Sequence, residues 1–208
     1  MISTIITAGG SSVRFGENKL LVKIDGKSVI EHTILKFLDI SDEIIIPAND
    51  DTREFIENCK SFDMNKVTLV KNGATRRQSV YNALLSCKFK DFVLIHDGAR
   101  PFIEKSDILK IIYELKTKDA ICAGKFATDT IKITDNGGVI VKTIERKNVF
   151  LAQTPQAFRY DLIMEAHNKF AHRDDFTDDS GMVEELGKKV YCFTTSGNNK
   201  KITTRADL

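Results

Sequence analysis

The chain has 208 residues, of which 42% are apolar and 29% charged, and its formal net charge is +2. That is the balance of one folded domain of ordinary size with a real core, and it excludes a disordered chain. So small a net charge gives no global pull toward nucleic acid or an anionic membrane, and no apolar run approaches the roughly 20 residues that span a bilayer.

The N-terminal segment MISTIITAGG enters a strand directly, without a basic region or a small-residue cleavage site, so the expectation is a cytoplasmic protein without a signal peptide. Ile2 to Thr7 is a β-branched run ending in Ala8-Gly9-Gly10. After a glycine- and serine-rich loop, Ser28 can cap a helix whose Ile30, Thr33, Ile34, Phe37 and Leu38 recur at helical spacing. A strand over Glu43 to Ala48, a helix over about Asp51 to Lys60 and a strand over Val67 to Val70 follow. Then come a helix over Arg76 to Ser86 and a fully apolar strand over Asp91 to His96. Ser106-Asp107 opens another helix, and Ala120 to Lys125 is a fifth strand.

This β-α repetition predicts an α/β, Rossmann-like fold, a mostly parallel sheet with helices on both faces and ligands beyond the carboxyl ends of the strands. The rhythm breaks after Phe126, where Thr130 to Thr134 and Val139 to Ile144 alternate around the turn Asp135-Asn136-Gly137-Gly138. Within a single domain over 1–208, residues 127–149 are therefore expected to project as a β-hairpin arm. Its apolar faces need cover, and a second subunit is the expected supplier; folding back on its own domain is the alternative. Later elements are a helix over Arg159 to Ala171 and one capped by Thr177, with Asp178 and Asp179 in its first turn and Gly187 past its end. Val190 to Thr194 and Lys201 to Thr203 read as final strands. Cys59, Cys87, Cys122 and Cys192 lack metal-ligand or redox-pair spacing and read as free thiols.

Two segments carry chemistry. In TAGGSSVRFGENK, residues 7–19, Gly9 and Gly10 open the backbone to a ligand, and Arg14 and Lys19 add positive charge. The pattern is neither the P-loop nor the dinucleotide fingerprint, which argues against a Rossmann dehydrogenase. Phosphate binding is one reading of this loop, and a plain strand-to-helix turn with exposed basic residues is the other. In HDGARP, residues 96–101, Asp97 ends a strand beside Gly98, where a carboxylate can hold a hard cation; an Asx turn or an ion pair with Arg100 is the bland alternative. His96 reads as an imidazole bonded to backbone.

These segments, with NGATRRQSV, ATDTIK, QTPQAF, FTDDSGMVEELG and NNKKITTRADL in one order over essentially the whole chain, resemble the 2-C-methyl-D-erythritol 4-phosphate cytidylyltransferase family. The resemblance implies transfer of a cytidylyl group from CTP to 2-C-methyl-D-erythritol 4-phosphate, with release of pyrophosphate, in non-mevalonate isoprenoid synthesis. The ribitol-5-phosphate cytidylyltransferases are near relatives and give an alternative sugar-alcohol phosphate acceptor. A catalytically weak nucleotide-binding regulatory protein is the alternative of another class. The resemblance further implies Arg14, Lys19 and Lys201 as the catalytic cations, and Ala8, Gly9, Gly10, Ser11, Arg76, Ser79, Asp97 and Arg100 around the nucleotide. It implies Mg²⁺ on Asp97, with Thr130 and Arg146 of the arm gripping the acceptor phosphate in a homodimer.

Three departures from the family pattern stand out. The spacing of Arg14 and Lys19 is short, with Leu20 at a position that is often Gln; Asn198 replaces a second metal-holding aspartate; and the chain ends at Leu208, where relatives continue into a helix. Among the remaining residues, Pro155 reads as a loop former and Asp178-Asp179 as complements to a helix dipole. His32, His167 and His172 have no partners at ligand spacing.

Overall fold

The computed structural model describes residues 1–10 and 15–208. In chain order the strands and helices are β1 (Ile2–Thr7), β2 (Lys23–Ile24), β3 (Lys27–Ser28), α1 (Val29–Phe37), β4 (Glu43–Ala48), α2 (Asp50–Glu57), β5 (Val67–Lys71), α3 (Arg76–Leu85), β6 (Phe92–Asp97), α4 (Lys105–Glu114), β7 (Ala120–Phe126), β8 (Ile131–Thr134), β9 (Ile140–Ile144), β10 (Phe150–Arg159), α5 (Tyr160–Lys169), α6 (Asp179–Glu185) and β11 (Tyr191–Thr194). Seven strands form one sheet in the order β11-β7-β10-β6-β1-β4-β5. Only β10 runs against the rest, pairing antiparallel with β6 and β7, so the other six strands point their carboxyl ends at one edge.

The period of two along the strands sorts the core into two layers. Ile6, Ile44, Ile46 and Leu94 face α1, α2 and α4 through Ile30, Ile34, Phe37, Ile56, Ile108 and Ile111. Ile5, Ile45, Val93 and Ile95 face α3, α5 and α6 through Val80, Leu84, Ile163, Ala166 and Val183. Each such side chain, once fully buried, stabilises the fold by about 1.5–3 kcal/mol before conformational entropy is counted. Helix α1 begins where expected: Ser28 Oγ accepts from Glu31 N at 3.2 Å and Glu31 Oε2 accepts from Ser28 N at 2.6 Å, a capping box.

The β-α reading of the first two-thirds holds, with shifts at several ends. Helix α2 stops at Glu57, short of Lys60, and α4 begins at Lys105. Asp107 does not cap α4; it accepts from Ser196 N at 2.8 Å and Ser196 Oγ at 2.9 Å, docking the C-terminal segment. The cap of α6 is Asp178, whose Oδ1 accepts from Gly181 N at 3.0 Å, and not Thr177. Lys201 to Thr203 is not a strand; it lies as a connecting segment, with Ile202 N donating to Ala99 O at 2.8 Å.

The largest omission from the sequence reading is β10. Pro155, read as a loop former, sits inside this ten-residue strand at a register shift between Ala152 and Gln156, with Thr154-Pro155 in cis. Proline cannot donate to a ladder, and the shift is the irregularity that admits one at the centre of a sheet. The hairpin expected over 127–149 is present as β8 and β9, a separate two-stranded ladder with Gly138 at φ +80° in its turn. No helix among the described residues is long and apolar enough to cross a membrane.

Candidate active site

A cavity of about 370 Å³ opens at the carboxyl edge of the sheet, where the chains leaving β1, β5 and β6 meet. Here the chain runs from β1 outward to β4 and β5 and then crosses back to β6 on the other side of β1, the kind of switch point at which α/β sheets bind ligands. Gly9 and Gly10 form one wall, residues 72–76 with Ser79 another, and Asp97 to Ala99 the floor, with Lys19 and Lys201 also reaching in. Among the described residues, three cationic side chains, Lys19, Arg76 and Lys201, line the space against one carboxylate, Asp97. A cavity of this size and sign suits an anion with several phosphate groups.

The floor is fixed through Thr154 on β10. Asp97 N donates to Thr154 Oγ1 at 3.0 Å, and Thr154 Oγ1 lies 3.1 Å from His96 Nδ1. His96 Nε2 is 3.1 Å from Arg100 O, which can only accept, so Nε2 carries the proton and Nδ1 accepts from the threonine. Burial pushes the His96 ring down to about 4. This histidine is therefore neutral and fully bonded, as read from the sequence.

Asp97 holds the centre of the charges. Lys201 Nζ lies 2.8 Å from Oδ2, Arg100 Nε 3.3 Å from the same oxygen and Arg76 Nε 3.9 Å from Oδ1. Burial by itself would raise this carboxyl, but Lys201, Arg76 and Arg100 outweigh it and hold it well below the usual carboxylate range. Arg100 Nη1 also donates to Asn199 O at 2.8 Å, and Asn199 Nδ2 donates to Thr154 O at 2.6 Å, so the segment carrying Lys201 is tied to the floor from two sides.

On the opposite wall, Asn72 Nδ2 donates to Gly9 O at 3.2 Å, and Ser79 Oγ donates to Asn72 Oδ1 at 2.7 Å. A Cβ on Gly9 would lie 1.9 Å from Asn72 Oδ1, so Gly9 is there because the carboxamide closes over it.

The fit to a divalent cation rests on Asp97. Among the described residues no group of three or more His, Cys, Asp or Glu is arranged for a metal. Magnesium needs only one or two carboxylates when phosphates supply the rest, and Asp97 lines the cavity with its Oδ1 3.9 Å from Arg76 Nε. Asn198 lines a different hollow, with Lys36, Phe102 and Glu104.

A family model for 2-C-methyl-D-erythritol 4-phosphate cytidylyltransferase matches residues 2–208. The chain belongs to this family. The cytidylyltransferase of Dictyoglomus thermophilum is 42% identical over 98% of this chain and 92% of its own length. That of Clostridium acetobutylicum is likewise 42% identical, over 98% and 92%. Among solved structures, the 4-diphosphocytidyl-2C-methyl-D-erythritol synthase of Anaerococcus prevotii superposes with a TM-score of 0.87 at 32% identity, covering 99% of this chain and 94% of that one. The Francisella tularensis cytidylyltransferase gives 0.84 at 29%, covering 99% and 95%.

Of the residues that the sequence assigns to cytidylyl transfer, Gly9, Gly10, Lys19, Arg76, Ser79, Asp97 and Lys201 come together in this one cavity. Ser11 and Arg14 lie outside the described residues. Ala8 does not reach the cavity; it is 1% exposed and bridges to Ala48 beneath the glycines. Arg100 stands behind Asp97 as a buttress. Thr130 and Arg146 are exposed on the arm, where Arg146 Nη1 donates to Thr128 O at 2.6 Å, and neither lines the cavity of its own chain. Burial pushes the Cys87 and Cys122 thiols up to about 12 and about 11, so neither is a poised nucleophile.

Asp179 departs most from expectation. It opens α6 as the expected first-turn acid, but its side chain is wholly buried, 2.7 Å from Arg76 Nη1 and 3.4 Å from His167 Nε2. His167, read as having no partner at ligand spacing, is equally buried. Sequence reasoning also passed over Asn72 and Thr154, which sit inside the quoted segments NGATRRQSV and QTPQAF. Asn199 was missed beside the weighed Asn198.

Proposed function

We propose that the chain transfers the cytidylyl group of CTP to 2-C-methyl-D-erythritol 4-phosphate, releasing pyrophosphate. The observation that carries this reading is the convergence of Lys19, Arg76 and Lys201 with the open backbone of Gly9 and Gly10 on one cavity, in a chain of this family. A phosphate oxygen of the acceptor attacks the α-phosphorus of CTP in line. A new P–O bond forms as the bond from the α-phosphorus to the bridging oxygen breaks, and pyrophosphate carries that electron pair away. No covalent enzyme intermediate is involved.

The protein's part is positioning and charge. The amides of Gly9 and Gly10 receive phosphate oxygens, as does Ser11, while Lys19, Lys201 and Arg14 offset the charge that builds on the α-phosphate. Ser79 and Arg76 hold the base and ribose side, and Ala8 supports the glycine loop from below. Asp97 binds Mg²⁺, which when present supplies charge neutralisation to the phosphates, and Arg100 keeps the Lys201 segment against Asp97. Thr130 and Arg146 take the acceptor phosphate in the cavity of a second copy. This homodimer would cover the exposed Ile133, Val139, Ile140 and Val141 of the arm, and we place the enzyme in the cytoplasm.

The test is the purified protein with CTP and Mg²⁺, offered methylerythritol phosphate and ribitol 5-phosphate separately, with pyrophosphate release as the readout. Release with the first alone supports the reading, release with the second alone transfers it to the ribitol phosphate class, and release with neither defeats it. Light scattering at micromolar concentration checks the dimer; a monomer there removes the shared site.

A further inference from the structure

Asp179 and His167 form a buried pair behind Arg76, and neither has a part in the transfer step, in which Arg76 alone of the three is placed. Asp179 opens α6 and His167 lies in the last turn of α5; both side chains are 0% exposed. Arg76 is the first residue of α3, and a third of its side chain is exposed toward the cavity. Its Nη1 meets Asp179 Oδ2 at 2.7 Å, and its Nε faces Asp97 Oδ1 at 3.9 Å. The guanidinium therefore bridges one carboxylate sealed in the protein and one on the cavity floor.

Asp179 has a second neighbour besides Arg76. His167 Nε2 faces its other oxygen at 3.4 Å, and the Tyr81 ring of α3 stacks on the imidazole, centroids 6.0 Å apart. Neither ring nitrogen of His167 makes a hydrogen bond among the described residues, and the Asp179 carboxylate lies beside Nε2. The backbone at this helix start is fixed by Gln156 of β10, whose Oε1 accepts from Asp179 N at 3.1 Å and Ser180 N at 3.0 Å. Gln156 Nε2 donates to Asp178 Oδ2 at 2.6 Å.

Burying an ion pair is a poor route to stability, because desolvation offsets most of the attraction; one attested use of buried ionic groups is to fix geometry. An arginine has a long, flexible stem, and a site that needs its planar fork in one place gains when the ordering is done before the ligand arrives. We infer that Asp179, clamped by His167, is a positioning residue that presets Arg76 at the wall of the cavity for the nucleotide. The inference rests on the reading of this cavity as the CTP site. The structure thus assigns α5 and α6, which supply no side chain to the cavity lining, a share in nucleotide affinity through one arginine.

The test is CTP binding by calorimetry with Mg²⁺ and no acceptor, beside urea unfolding, for wild type, Asp179→Asn, Arg76→Ala and the double variant. Asp179→Asn is expected to weaken CTP about tenfold in the wild-type background and less than twofold in the Arg76→Ala background. Equal weakening in both backgrounds, or a folded Asp179→Asn chain with wild-type affinity, overturns the inference. His167→Gln keeps the carboxylate and removes its clamp. It carries the test if Asp179→Asn does not fold: two- to fourfold weaker CTP with Arg76 present and no change without it supports the inference, and any other pattern overturns it. A wild-type chain that binds no CTP defeats the functional reading itself, and this inference with it.

Discussion

Asp97→Asn removes one negative charge, with almost no change in size, where Lys201, Arg100 and Arg76 converge at 2.8, 3.3 and 3.9 Å. Breaking a buried ion pair from one side costs about 3–5 kcal/mol. The side chains of Lys201 and Arg76 are 41% and 33% exposed, so water screens part of the repulsion left behind. The expected loss is about 2–3 kcal/mol. At roughly 2–4 °C per kcal/mol for a chain of this size, the melting temperature falls by about 5–10 °C. The effects on ligand are of opposite sign. Without metal, the variant cavity is more positive, and calorimetry in EDTA should find CTP bound as tightly as by wild type or more so. With Mg²⁺ and acceptor, pyrophosphate release should fall about a hundredfold or more, the equivalent of losing roughly 2.7 kcal/mol of transition-state stabilisation. Turnover within about fivefold of wild type would refute the reasoning, since the carboxylate would then serve only to neutralise its neighbours.

Gly9→Ala forces the Asn72 carboxamide off Gly9 O and Ser79 Oγ; urea midpoints should show a loss of about 1–2 kcal/mol, most of it restored by adding Asn72→Gly. Arg146→Ala should raise the KM for the acceptor by about tenfold or more while leaving the CTP affinity unchanged, and the reverse pattern would sink the placement of the arm. Glu31 is held at about 2, below its ordinary 4.5: burial would raise it, but bonds from Ser61, Ser28 and Cys59 prevail. Because the folded value is depressed, its contribution is complete above about pH 4.5 and is lost as the pH falls toward 2. Wild type should therefore lose on the order of 2 kcal/mol more than Glu31→Gln between about pH 6 and pH 3 in urea titrations; equal losses would contradict this.

Local patterns with a clear period were legible in the sequence. Ile2–Thr7 and Glu43–Ala48 declare themselves as short runs rich in β-branched residues, and the hairpin around Gly138 by its alternation and its specific turn residues. Gly9, Lys19 and Asp97 were found because they sit in loops that follow strands, Lys201 because a family motif places it, and the sheet edge brings all four into one cavity. Strand β10 was not legible: its polar centre, Gln153 to Gln156, has no alternation, and a proline in a run argues against a strand. Asp179 and His167 stayed hidden for another reason. They are twelve positions apart on different helices, and only packing against β10 and α3 makes them neighbours. An acid in a first helical turn looks the same on paper whether it faces water or a buried arginine.

The register shift in β10 gives the sheet interior something that a regular ladder cannot. Where cross-strand pairing lapses, backbone groups are released from their neighbours, and Thr154 spends its carbonyl on Asn199 and its hydroxyl on Asp97 and His96. A flawless strand at this position would consume that carbonyl in its own pairing. The closing segment of the chain, with Lys201, would then have no anchorage on the strand beside the one that bears Asp97.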